Sequence, residues 1–145
     1  MSDAKPIMIF EISVDPSDIT EIECAYGSIS MLPFKAKVQS ALFSGETLPG
    51  AVDVQQENAA GIRNMSARYA FRGVDGEGNP CTLFVDNEAW FAGTQKHAPV
   101  IHTCPSFLTD SPVLGAYLCQ PRFRAEVRPA PCGVEIWVFD VLNER

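Results

Sequence analysis

The sequence predicts an all-β protein that folds as a single-domain antiparallel β-barrel with at most a short helix. Short runs rich in β-branched and aromatic residues recur along the chain, and Gly, Pro, Asn or Asp ends each of them. None of these runs keeps helical spacing for long. Because many short antiparallel strands would leave too many unpaired edges in an open sheet, the pattern favours a closed barrel or a sandwich.

Nine strands are predicted from these runs. They span residues 7–14, 21–31, 35–43, 51–57, 64–73, 80–87, 100–103, 116–127 and 133–142. Residues 73–81 hold three Gly with Asp, Asn and Pro between two alternating runs, which indicates a hairpin. A second hairpin is predicted over residues 128–133, where two prolines fix φ and a glycine follows.

A helical turn is expected at one place, within residues 106–118. Ser106, Thr109 and Ser111 are possible N-caps there, and Pro112 suits the first turn of a helix. The rest of the chain offers no comparable helix start, so any helix is expected to be short.

Length and charge restrict the class of protein. The 145 residues suit one domain, residues 1–145, and a chain of this size buries roughly 70% of its unfolded surface. The formal net charge of -7 argues against nucleic acid as a partner, because phosphate contacts need a basic face. The N-terminus does not resemble a signal peptide, and no apolar run approaches the ~18 residues of a membrane helix. We therefore expect a cytoplasmic protein with no membrane partner.

The five cysteines form neither a disulfide framework nor a zinc pattern, because their number is odd and no CxxC pair occurs. They are Cys24, Cys81, Cys104, Cys119 and Cys132. We expect free thiols that act as small buried apolar residues. The chain also lacks a P-loop, a dinucleotide fingerprint, an HExxH motif and a GxSxG motif, so no cofactor and no metal are predicted.

Polar side chains interrupt the alternation in two neighbouring predicted strands. Asp53 and Gln55 share one face of the strand over residues 51–57, and Arg68 is central to the strand over residues 64–73. Because a short connection separates these strands, we expect the three side chains to converge at the mouth of the barrel. An Arg that faces a carboxylate forms a charge-assisted hydrogen bond, either in a structural pair or in a pair that contacts a ligand.

Two segments of the chain, "FSGETLPGAVDVQ" and "MSARYAFRGVDGEGNPCTLFVDN", resemble a bacterial family known as domain of unknown function 3237. The resemblance is clear over residues 43–87 and looser through "FLTDSPVLGAYL" and "GVEIWVFDV". The matching positions are Gly45, Leu48, Gly50, Asp53, Gln55, Ser66, Ala67, Arg68, Tyr69, Asp75, Cys81 and Asn87.

The resemblance implies an antiparallel β-barrel of calycin-like appearance and implies no established activity. Two positions depart from the family pattern. Ala51 stands where a second Gly of the turn is common, and "DNEAW" lacks the Gly that often follows Asn87. The first departure predicts a less extreme backbone at Ala51, and the second concerns the role of Asn87 in a turn.

These observations lead to two hypotheses of different class. The first is a barrel that binds a small apolar or aromatic metabolite, either as a binding protein alone or as an isomerase or lyase type of enzyme without a cofactor. Asp53 would be the acid or base, Arg68 would hold its charge or a substrate oxygen, and Gln55 and Tyr69 would orient the substrate. The further binding candidates are Asn87, Trp90, His102 and Trp137.

The second hypothesis is a non-catalytic structural module that assembles as a homo-oligomer through exposed apolar strands. In that case the side chains of the barrel would fill its interior. A cavity lined by Asp53 and Arg68 favours the first hypothesis, and a packed interior with a large outer apolar patch favours the second.

Overall fold

The computed structural model describes residues 4–143 and forms a closed antiparallel β-barrel, which confirms the predicted fold class. Its strands are β1 (Met8–Val14), β2 (Thr20–Cys24), β3 (Gly27–Gln39), β4 (Phe43–Thr47), β5 (Val52–Asn58), β6 (Ile62–Asp75), β7 (Pro80–Ala92), β8 (Ile101–Thr109), β9 (Phe123–Ala130) and β10 (Gly133–Asp140). Within the described residues one α-helix occurs, α1 (Pro112–Leu118), together with 3-10 turns at Pro16–Asp18, Gly93–Gln95 and Val141–Asn143. No helix in residues 4–143 combines the length and the apolar character that a membrane crossing needs.

The strands occupy eight positions around the barrel. β1 pairs with β10, and the ladder then runs through β9, β8 and β7 to β6. Both β4 and β5 lie between β6 and β3, so these two strands share one position end to end. β3 then pairs with β1 and closes the barrel. β2 pairs with the same edge of β3 as β1 does, but nearer the start of β3.

The predicted strand over residues 21–31 is wrong, because this segment is a hairpin. β2 ends at Cys24 and β3 begins at Gly27, whose φ of 140° favours glycine. A side chain at Gly27 would also meet the backbone carbonyl of Glu57 on β5. The close approach of β3 and β5 therefore fixes where the chain turns.

Two prolines lie inside strands, which explains why the predicted strands were too short. The amide of Phe34 donates to the carbonyl of Ala51 at 3.1 Å, so the nitrogen of Pro33 faces the other edge of β3. There the pairing with β2 has ended and the pairing with β1 begins only at Phe34. In β8, Pro105 lies beyond residues 101–103, the stretch that pairs with β9. Both prolines thus lie where one edge of the strand has no ladder partner.

The helix α1 occupies part of the predicted strand over residues 116–127, and β9 begins only at Phe123. Its start follows the prediction: the Ser111 hydroxyl accepts a hydrogen bond from the Leu114 amide at 3.2 Å, and Pro112 lies in the first turn. Leu114 and Leu118 are buried in the core. The helix therefore covers the end of the barrel where β8 ends and β9 begins.

A buried carboxylate joins α1 to the end of β10. Asp140 accepts hydrogen bonds from Arg122 Nε at 3.0 Å and Arg122 Nη2 at 2.7 Å, and from the Tyr117 hydroxyl at 2.6 Å. The amide of Leu142 and the side chain of Asn143 complete its shell. These hydrogen bonds lower the pKa of Asp140, with Arg122 the largest cause. The Asp140 side chain thus connects α1 and the segment after it to the end of β10.

All five cysteines are free thiols, as predicted. Their predicted burial holds only for Cys81, because the other four are exposed. Cys104, for example, lies between the buried residues Thr103 and Pro105 on β8, and its side chain points outwards because neighbouring residues of a strand face opposite sides.

Candidate functional site

A cavity of about 200 Å³ lies inside the barrel, in the half away from α1. Its walls are mainly apolar, and Tyr69 and Phe34, whose rings are 4.9 Å apart, contribute to them near the aromatic core. Five polar side chains also line it, namely those of Asp53, Gln55, Tyr69, Asn87 and Thr103. The interior is therefore not filled by its own side chains, and polar groups from four strands meet in it.

Asp53 and Gln55 both face the cavity, as the alternation of β5 predicts. Gln55 Nε2 donates a hydrogen bond to Asp53 Oδ2 at 2.8 Å. The other carboxylate oxygen, Oδ1, is buried and has no hydrogen-bond partner among residues 4–143. One half of the carboxylate is thus held by the protein, and the other half remains open to a ligand.

The charge partner of this site is Arg63, which the sequence analysis missed. Its guanidinium donates to Gln55 Oε1 through Nη2 at 2.6 Å and Nε at 3.3 Å, and Nη1 donates to Glu57 Oε1 at 3.3 Å. A chain of hydrogen bonds therefore runs from Arg63 through Gln55 to Asp53. The signal was present, because Arg63 has the same parity along β6 as the inward-facing Ala67, but the predicted strand began one residue too late.

The predicted convergence of Arg68 with Asp53 is wrong. In the β5–β6 ladder Asp53 lies opposite Ala67, and Arg68 lies opposite Val52. Directly opposed residues of a ladder point to the same face, so Arg68 points out of the barrel while Asp53 points in. The Arg68 side chain is 66% exposed, and its Nε lies 3.5 Å from Asp86 Oδ2.

Asn87 and Thr103 supply two more open polar atoms to the cavity. Asn87 is 6% exposed and Thr103 is 8% exposed. Within the described part of the chain, neither Asn87 Oδ1 nor Thr103 Oγ1 has a hydrogen-bond partner. Asn87 does not end its strand as predicted, because β7 continues to Ala92. Thr103 was not a candidate, although the alternation of β8 places it on the inner face with Phe107.

Burial changes the acid–base properties of two of these groups. The loss of hydration raises the pKa of the Asp53 carboxyl, and the hydrogen bond from Gln55 and the charge of Arg63 oppose this effect only in part. Burial, and then the negative charge of Asp53, raise the pKa of the Tyr69 phenol. Tyr69 therefore stays protonated and remains a hydrogen-bond donor. The carboxyl group of Asp53 beside it has a pKa closer to neutral pH than an ordinary aspartate.

Three of the predicted binding residues lie outside the cavity. Trp90 on β7 is 71% exposed, and His102 on β8 is exposed. Trp137 lies on the outer face of β10, where the Arg128 guanidinium stacks over its ring at 3.9 Å and its Nε1 donates to Glu135 at 3.0 Å. Each has the parity along its strand that points away from the barrel interior, so the structure does not bring them to Asp53.

A substitution at Gln55 tests the hydrogen-bond chain. Gln55→Leu removes the hydrogen bond that lowers the pKa of Asp53, and it also removes the oxygen that accepts from Arg63. We therefore expect a higher pKa for Asp53 in this variant, measured by NMR titration of the carboxyl carbon. The matched control is Gln56→Leu, a change at the exposed neighbour on the outer face. Equal Asp53 pKa values in both variants and the wild type would contradict the proposed role of these hydrogen bonds.

The residues around the cavity offer no evident metal site. Among the described residues, no group of three or more His, Cys, Asp or Glu side chains is arranged to hold a metal ion. The chemistry that the site can provide is hydrogen bonding by the Tyr69 phenol and proton transfer at the Asp53 carboxyl group.

Comparison with models of known families gives no match, and comparison with curated proteins gives none. Solved structures do resemble the chain. A protein with unknown function from Clostridium acetobutylicum ATCC 824 superposes with a TM-score of 0.73 at 21% identity, over 97% of each chain. A conserved protein of unknown function from Rhodopseudomonas palustris gives 0.70 at 22% identity, also over 97% of each chain.

A third structure is a beta-barrel like protein from Acinetobacter baumannii AYE, with a TM-score of 0.70 at 15% identity over 97% of this chain and 96% of that one. At these identities the likeness concerns the fold alone. The chain thus shares its β-barrel fold with proteins of unknown function, and its resemblance to domain of unknown function 3237 stays a prediction.

Proposed function

We propose that this barrel binds a small, largely apolar molecule in its interior cavity and acts on it by proton transfer at Asp53. The observation that carries the proposal is that Asp53 Oδ1, Asn87 Oδ1 and Thr103 Oγ1 line one cavity and are buried there without a hydrogen-bond partner among the described residues. A buried polar atom without a partner costs about 1–3 kcal/mol. A ligand that supplies these hydrogen bonds recovers that cost on binding.

Asp53 suits the role of a general acid or base. Its pKa is raised towards neutral pH, and a proton donor or acceptor works best when its pKa is near the pH of the reaction. Tyr69 supplies a protonated phenol that can stabilise an oxygen on which negative charge develops. These two groups support isomerisation or a lyase step on an apolar or aromatic substrate, since both reactions need only placed side chains.

The alternative function, a purely structural or homo-oligomeric module, has weaker support. Its premise was an interior filled by side chains, and the cavity of about 200 Å³ argues against that premise. Exposed apolar residues do occur on the outer face of β7, but Asp86 and Glu88 separate Phe84 from Trp90. Charged residues in the middle of this face make it a poor continuous contact surface.

A thermal-shift screen of single-ring aromatic compounds and small lactones tests the proposal. A ligand that binds only the folded barrel at a hundred times its Kd stabilises it by about 2.7 kcal/mol. We expect such a shift in the wild type and its loss in Ala67→Leu, which places a larger side chain in the cavity. Ala70→Leu, on the outer face of the same strand, is the control and should keep the shift. Ligands that stabilise Ala67→Leu and the wild type equally would bind elsewhere, and the proposal would fall.

A further inference from the structure

We propose that the ligand is a single ring with oxygen substituents at two opposite edges, one bound by Asp53 and the other by Asn87 and Thr103. This inference rests on the proposed function and adds the chemical class of the molecule that the cavity takes. In the sheet, the residues that carry these open polar atoms lie on the two sides of Ala67, so that an apolar gap separates them.

The ladder registers define this gap. Asp53 lies opposite Ala67 on β6, and Ala67 lies opposite Asn87 on β7. The three residues therefore form one row across three strands, and two strand spacings separate the Cα atoms of Asp53 and Asn87 by about 10 Å. All three line the cavity. Since the middle residue is alanine, the space between the two polar ends is left open, and a flat ring can lie over its methyl group.

The two ends differ in what they can bind. An ionised Asp53 only accepts hydrogen bonds, so the substituent at that end must donate, as a hydroxyl does. At the other end Thr103 lies on β8, two residues before Pro105, which is the partner of Asn87 in the ladder. An amide and a hydroxyl together both donate and accept, so this end takes either a hydroxyl or a carbonyl oxygen.

The volume of the cavity suits a ligand with one ring. An engineered protein cavity of about 150 Å³ binds benzene. The cavity of about 200 Å³ in this barrel leaves room for one six-membered ring and its two oxygen atoms. Apolar side chains such as Leu32, Val127 and Ile136 line the rest of the wall and would contact the faces of the ring.

The test compares benzene, phenol and benzene-1,4-diol by isothermal titration on the wild type and on the double variant Asn87→Leu with Thr103→Val. On the wild type we expect the diol to bind about five- to tenfold more tightly than phenol, since one neutral hydrogen bond contributes about 1 kcal/mol. In the double variant we expect this advantage to vanish. The advantage of phenol over benzene should remain, because Asp53 is unchanged.

A melting curve separates a ligand role from a structural role. Asn87 Oδ1 and Thr103 Oγ1 have no hydrogen-bond partner among residues 4–143, so their replacement by apolar side chains should leave the melting temperature unchanged or raise it. If Asn87→Leu lowers the melting temperature, the isosteric variant Thr103→Val is titrated alone. In that variant we expect the affinity advantage of the diol over phenol to fall two- to threefold.

The outcomes distinguish this inference from the proposed function. Equal affinity of phenol and the diol for the wild type, or a diol advantage that survives in the double variant, overturns the two-ended ligand and leaves binding in the cavity intact. The same holds if none of the three probes binds but another compound of the screen gives the shift that Ala67→Leu abolishes. If no compound gives that shift, both proposals fall.

Discussion

Arg122→Ala is expected to lower the stability of the barrel, because it leaves the Asp140 carboxylate without its charged partner. The Asp140 side chain is 1% exposed and lies 2.7 Å from the guanidinium of Arg122. Tyr117 remains as a donor but carries no positive charge. The melting temperature should fall by several degrees, which differential scanning calorimetry measures.

The control is Arg68→Ala, which removes an exposed arginine from a 3.5 Å pair with Asp86. An exposed pair contributes about 0–1 kcal/mol, so this variant should melt close to the wild type. Similar melting temperatures for the two variants would contradict the assignment of Arg122 as the buried partner.

The effect of Arg122→Ala should also depend on pH in a defined direction. The hydrogen bonds from Arg122 lower the pKa of Asp140 in the folded state. A lowered pKa contributes stability at pH values above the ordinary pKa of an aspartate, and this stability is lost as the pH falls through the folded-state pKa. The difference in stability between the wild type and Arg122→Ala is therefore largest at neutral pH and becomes smaller in acid.

The sequence was sufficient for the fold class, because alternation and turn residues act locally. The inward set on β6, which includes Ala67, Tyr69 and Phe71, follows from period-two alternation alone. The cap of α1 at Ser111 also follows from neighbours in the chain. The errors in strand length at Pro33 and Pro105 arose because the tolerance of a proline depends on which edge of the strand has a partner.

The candidate site was predicted only in part, because its assembly depends on register. Alternation places Asp53 and Gln55 on the same face, but it does not tell which residue of β6 lies opposite each of them. A shift of one residue exchanges Arg68 for Ala67 and turns the supposed ion-pair partner to the outside. Pairing by residue type alone therefore favoured the arginine in the centre of the strand and missed Arg63 at its start.

Residue type also misled the choice of aromatic candidates. Trp90 and Trp137 are binding candidates by residue type, but each lies at an outward position of its strand. Thr103, a less conspicuous residue, lies at an inward position. Parity along the strand is a better guide to a barrel interior than chemical type, since both faces of a strand can carry large side chains.

Asp53→Asn is expected to raise the stability of the ligand-free barrel. Burial disfavours the charged carboxylate and raises its pKa in the folded state. A carboxyl group with a raised folded-state pKa costs stability as the pH rises from the ordinary aspartate pKa through the folded-state value, and the cost is constant above it. The variant should therefore have the same melting temperature as the wild type in acid and a higher melting temperature at neutral pH. A variant that melts lower at every pH would show that Asp53 is a structural group.

The same substitution is expected to remove function. The amide that replaces the Asp53 carboxyl group keeps the shape of the side chain and can still accept the hydrogen bond from Gln55, but it cannot take up a proton. For a substrate found through the ligand screen, we expect kcat/KM to fall by about 10²–10⁴-fold, the usual contribution of a general acid or base. Gln56→Leu, on the outer face of the same strand, should retain wild-type kcat/KM. Loss of activity together with a gain in stability at neutral pH is a combination that a purely structural carboxylate does not produce, because the removal of a structural partner lowers both. Full activity in Asp53→Asn would place the acid–base chemistry at another residue of the cavity.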